Sequence, residues 1–150
     1  MAVYNSLAIA NGAPIPGFGA GGGQIREQYT LVNVPLNATT TDTLPLFFLP
    51  ANAIVQSLKV KSAALGGATT ITIGDGGYGA VAADNTRYLG ANAITTAGGV
   101  INTMDPKGVF FRTGASNNRL LVTMRFAAGT VATAGTVEVS IAYTVEEPQQ

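Results

Sequence analysis

Between Thr136 and Glu147 the chain alternates with a period of two. In "TVEVSIAYTVEE", Val137, Val139, Ile141, Tyr143 and Val145 fall on one face, and Glu138, Ser140, Ala142, Thr144 and Glu146 on the other. Successive side chains of a strand point to opposite sides, so this pattern predicts a strand with one buried and one wet face. "RLLVTMRF" repeats it, with Leu120, Val122, Met124 and Phe126 inward and Arg119, Thr123 and Arg125 outward. "TTITIGDGG" places Ile71 and Ile73 inward and then turns, and "LKVK" places Leu58 and Val60 inward between Lys59 and Lys61. "QYTLVNVPL", "LPLFFLP" and "KGVFFRT" are further strand candidates, the last two short.

The segments between them are rich in Gly, Asn, Asp, Ser and Thr: "LNATTTD", "ALGGA", "GDGGYG", "ITTAGG", "TGASNN" and "AAGTVATAGT". These residues supply positive φ or bond their own backbone, so each segment reads as a turn or loop. "LPANAI" (49–54) reads as one helical turn or a bend ahead of its strand. No window carries a helical period with caps. Many short strands joined by turns predict an all-β antiparallel sandwich or barrel.

The first 24 residues do not join this pattern. "PIPGFGAGGG" (14–23) is dense in glycine, which is costly to order alone. A solvating linker would carry Ser, Glu or Lys, yet here stand Tyr4, Leu7, Ile9, Ile15 and Phe18. The expectation is an extended Gly-rich N-terminal arm over 1–24, with apolar anchors that order on a partner, ahead of a β-sandwich domain over 25–150. The same residues also fit a leading strand of the sandwich or a frayed terminus.

Composition narrows the chemistry. Eight Lys plus Arg balance eight Asp plus Glu, and only 11% of the 150 residues are charged. A nucleic-acid binder would show a basic excess, so none is expected as a partner. The longest apolar runs fall far below the ~20 residues of a membrane helix, and the start lacks a basic leader segment. A soluble protein made in the cytoplasm, without a membrane partner, is expected. There is no His, Cys or Trp, which removes thiol chemistry and the commonest proton shuttle. No spacing of acids suggests a metal site, so no enzyme, metal or cofactor is expected.

The motifs that remain are turn chemistry. "ITIGDGGYG" lacks the Lys and helix of a phosphate loop and the ligand series of a calcium loop, and reads as a β-turn with Gly at positive φ. "MDPKGVFFR" (104–112) offers Asp105, Lys107 and Arg112 but no acid–base pair. "NTRYLGANAI" (85–94) sets Arg87 beside Tyr88. These types anchor interfaces, so both are candidate contacts between copies, and both equally suit a strand end capping a core.

Three segments in this order, "LPANAIVQSLKVKSAALGGATTITIGDGG", "RYLGANAI" and "NRLLVTMRFAAGTVATAGTVEVSIAYTVEE", resemble the small all-β head decoration, or cement, proteins of tailed bacteriophages. The resemblance covers residues 49–145. It implies a jelly-roll-like sandwich without cofactor, a closed homo-oligomer with a trimer foremost, and a place in the virion on the capsid exterior. The partners it implies are the major capsid protein and further copies of the chain. The arm would then dock on the shell through Tyr4, Ile9, Ile15 and Phe18. Glycine lets two backbones approach closely, and Pro14 and Pro16 lower the cost of ordering. Two other readings stay open: a carbohydrate- or receptor-binding jelly-roll module using Tyr78, Arg87 and Tyr88, and a tail or neck component of the virion.

Overall fold

A computed structural model describes residues 25–77, 81–114 and 119–146. The expected arm, and with it Tyr4, Ile9, Ile15 and Phe18, lies outside these residues. The strands are β1 (Arg26–Val34), β2 (Thr43–Leu49), β3 (Ala53–Ser62), β4 (Thr70–Asp75), β5 (Asp84–Asn92), β6 (Gly99–Ile101), β7 (Leu120–Ala128) and β8 (Gly135–Val145). One helical turn, α1 (Ile94–Ala97), precedes β6.

Two four-stranded sheets form, in the orders β1-β8-β3-β6 and β2-β7-β4-β5, and every pairing is antiparallel. The orders follow from one folding rule. β4 pairs with β5, β3 with β6, β2 with β7 and β1 with β8, as in one long hairpin whose tip is the β4–β5 connection. Wrapping that ribbon over itself brings β8 against β3 and β7 against β4. The sequence pattern predicts the antiparallel sandwich, and these strand orders are the jelly-roll-like ones that the resemblance implies.

Period two carries the core. Val137, Val139, Ile141 and Tyr143 of β8 are fully buried and Val145 nearly so. Leu120, Val122, Met124 and Phe126 of β7 and Ile71 and Ile73 of β4 face them from the other sheet, and Leu58 and Val60 of β3 lie beside them in their own. In β2 the register slips between Pro45 and Phe47, so the apolar run "LPLFFL" buries Leu44, Leu46, Phe47 and Leu49 without strict alternation.

Three segments differ from the expectation. "KGVFFRT" is not a ladder strand. Residues 106–110 are a turn, Phe110 sits at φ 57°, and one bridge joins Arg112 to Ile54. Left-handed backbone at Phe110 breaks the extended run that its composition favours. "NTRYLGAN" is strand β5, and "ITTAGG" holds α1 and the start of β6 rather than a turn alone. "LPANAI" takes the bend, with Asn52 at φ 56°, and no helix.

Candidate functional site

The register places the starts of β1, β3, β5 and β7 and the ends of β2, β4 and β8 at one end of the sandwich. β1 begins here, and many of the charged residues gather here too. The opposite end is closed by tight turns. Gly67, at φ 63°, lies so near Thr130 that a Cβ would stand 1.8 Å from its carbonyl oxygen. Only glycine allows that approach.

At the open end Asp75, at the last position of β4, is fully buried. Arg87 Nε donates to its Oδ2 at 2.6 Å, and the Gly77 N–H donates to Oδ1 at 3.1 Å. Arg87 Nη2 also donates to the Ala82 carbonyl at 2.6 Å, tying the β4–β5 connection to β5. The guanidinium carbon stands 4.0 Å from the centre of the Phe111 ring, and Tyr88 meets the same ring edge-on at a centroid distance of 6.1 Å. A charge that is paired, ring-stacked and nearly enclosed is a lock on local structure.

Tyr88 is fully buried, and burial, reinforced by the Asp75 charge, pushes its phenol well above the usual range. It stays neutral at every physiological pH. A side chain without surface in its own domain offers none to a partner, so the strand-end, core-capping reading is the one that Tyr88 fits. Arg87 keeps 13% of its side chain exposed, and its Nε and Nη2 both donate within the chain.

A second cluster flanks the first. Lys107 Nζ donates to Thr86 Oγ1 at 2.7 Å and to Asp84 Oδ2 at 3.3 Å, while the Thr86 N–H donates to Asp84 Oδ1 at 2.9 Å. The Thr86 backbone bond, then the Thr86 hydroxyl, holds the Asp84 carboxyl below the ordinary carboxylate range. Asp105 accepts from the Lys107 N–H, the Asx chemistry expected of "DPKG". Arg112 pairs with Glu146. Among the described residues no group of acids could hold a metal ion.

The surface carries its information in apolar side chains instead. Val109 and Phe110 project from the 106–110 turn, with Phe110 66% exposed. Val100 of β6 is exposed beside Lys61, which shares Glu138 with the Tyr29 hydroxyl across the outer face of the β1 sheet. Ile25, Tyr29 and Leu36 are exposed along β1 and at its two ends. Nothing in the sequence separates these from core positions except their phase in the alternation.

With this geometry in view, two solved structures are similar. A chain of the capsid of Ralstonia phage GP4 matches with a TM-score of 0.75 at 19% identity, over 98% of this chain and 100% of that one. A chain of the cyanophage Pam1 capsid asymmetric unit matches with a TM-score of 0.64 at 23% identity, over 88% of this chain and 91% of that one. The fold is one found in phage capsids. Neither a protein-family model nor a curated protein matches the sequence. At these identities the likeness fixes the fold, and function has to be argued from surfaces.

Proposed function

We propose that this chain is a virion structural protein of a phage head, a decoration or cement protein that lies on the capsid exterior and strengthens contacts between major capsid subunits. The observation that carries the reading is the end-to-end match to a chain of the GP4 capsid, which spans all of that chain. A single sandwich of this kind can serve a capsid as an added component. The charge supports it as well. With net charge zero and 11% charged residues, the surface suits contacts made by shape and apolar burial rather than by steering. Residues 1–24 are the docking arm in this reading, with Tyr4, Ile9, Ile15 and Phe18 as anchors, and the chain acts as a closed homo-oligomer, with a trimer foremost.

The sugar- or receptor-binding reading fares less well, because Tyr88 is inside the core and Arg87 is held by Asp75, while Tyr78 lies outside the described residues. A tail or neck role is separated by location. Cryo-electron microscopy of the particle that contains the chain should show its density on the outer surface of the head, bridging shell subunits. Density confined to the tail or neck overturns the proposal.

A further inference from the structure

The two sheets have four outer edges, and three are closed to further pairing. β6 is three residues long. β2 carries Pro45 and loses register beside it. β5 shifts register on both sides of Ile73, and the Lys107–Asp84 pair stands at its start. Short strands, proline, irregular register and charge are the ordinary means of keeping an edge from pairing with another chain. β1 has none of the first three, and its only charged residues, Arg26 and Glu27, stand at its first two positions. It runs nine residues, "REQYTLVNV", without Pro or Lys, in one unbroken register with β8. No strand of the described residues lies along its outer side. Of the six large apolar side chains exposed among the described residues, three border this edge: Ile25, Tyr29 and Leu36.

We infer that the β1 edge takes the β1 edge of a second copy, antiparallel, about a two-fold axis through Thr30. That register pairs all nine residues. It sets Glu27 opposite the partner's Asn33 and Arg26 opposite the partner's Val34, so no like charges meet. Tyr29, 55% exposed, lies opposite the partner's Leu31, and Ile25, 73% exposed, comes beside the partner's Leu36. Residues directly opposite in an antiparallel pair point to the same face. Here inward residues therefore meet inward residues, and the two four-stranded sheets join into one continuous sheet with both sandwiches on the same side. Two copies so related present the same face in one direction, as lying on a shell requires. The contact needs no shell to form, and where the chain also closes into a trimer it joins one trimer to the next.

The chain has no cysteine, so any disulfide reports introduced residues alone. Tyr29→Cys and Leu31→Cys variants would be oxidised separately, and together after being mixed dilute and reconcentrated. Opposite positions lie within about 5.5 Å between Cβ atoms and diagonal ones about 7–8 Å apart, so the mixture should form covalent dimers in several-fold higher yield than either variant alone. The variant Tyr29→Lys/Leu31→Lys places like charges opposite each other and should lower the sedimenting mass with unchanged circular dichroism. Equal crosslinking alone and mixed, no crosslinking in a mixture of folded variants, or an unchanged mass for the double-lysine variant overturns the pairing. All readouts use the free protein, so the result is independent of whether it binds shells.

Discussion

Arg87 and Asp75 show what a single pair does in a chain with so few charges. Asp75 has no exposed surface, and removing Arg87 leaves its buried carboxylate with no opposite charge, only the Gly77 N–H. Arg87→Met should therefore cost about 3–5 kcal/mol in denaturant unfolding, and adding Asp75→Asn should restore part of it. Equal loss in the single and double variants would mean that the pair is not coupled. The pair is invisible in the sequence because its members stand twelve positions apart, and only the β4–β5 hairpin brings them together. Tyr143 is a different case. Its hydroxyl is buried with no hydrogen-bond partner among the described residues, while its ring fills the core position that the alternation predicts. Tyr143→Phe removes a polar atom that gains nothing from burial, so the melting temperature should hold or rise. A marked fall would show that a water molecule or another segment satisfies it. Beside Glu138, which the Lys61 bond also holds low, Asp84 is a source of acid sensitivity. Its folded-state pKa lies below the unfolded value, so its contribution is present above the unfolded pKa and is lost as pH falls through the folded one. Urea midpoints of the wild type should drop more steeply below about pH 4 than those of Asp84→Asn. Parallel acid limbs would remove Asp84 from that account.

At the scale of elements, legibility followed regularity. β8 and β7 were readable to within a residue or two because the buried face of each is an unbroken every-second-residue series of β-branched, aromatic or aliphatic side chains, with mostly polar residues between, Leu121 and Ala142 apart. β8 is central to its sheet, between β1 and β3. Ile141→Ala, at the middle of its buried face, should cost about 2–5 kcal/mol by chemical denaturation. A cost below 1 kcal/mol, on the scale of surface changes, would place the core elsewhere. β5 and β6 hid for opposite reasons. β5 shifts register twice against β4, which scrambles its period, and β6 is too short to have one. The 107–113 segment misled because its Val and Phe have strand propensity, whereas Gly108, packed close to the Arg87 carbonyl and the Tyr88 ring, and the left-handed Phe110 turn the chain. The tight turns were legible as glycine-rich loops but not as contacts with one another. Gly67→Ala would drive a Cβ into the Thr130 carbonyl and strain a positive φ, a loss of about 1–3 kcal/mol in the same assay. Wild-type stability in that variant would mean that the 66–68 and 129–131 turns separate freely.

For the whole molecule the open question is what residues 1–24 contribute, and the sandwich itself frames the test. The buried side chains of the described residues form one core from Val32 to Val145, drawn from both sheets, and β1 begins only at Arg26. On the proposed reading the arm adds nothing to that core. Deleting residues 1–24 should then leave the circular dichroism spectrum and the melting temperature nearly unchanged, while binding to shells in co-sedimentation falls sharply. Apolar anchors that fill pockets dominate such contacts, so Phe18→Ala and Ile15→Ala should each weaken binding more than a change at Gln24. No Asp, Glu, Lys or Arg precedes Arg26, so raising salt should alter the arm's share of binding little. Full decoration by the truncated protein would reduce the arm to a frayed terminus. Unfolding on truncation would make it a strand of the sandwich, and its glycines would then serve the turn into β1 rather than a neighbouring surface.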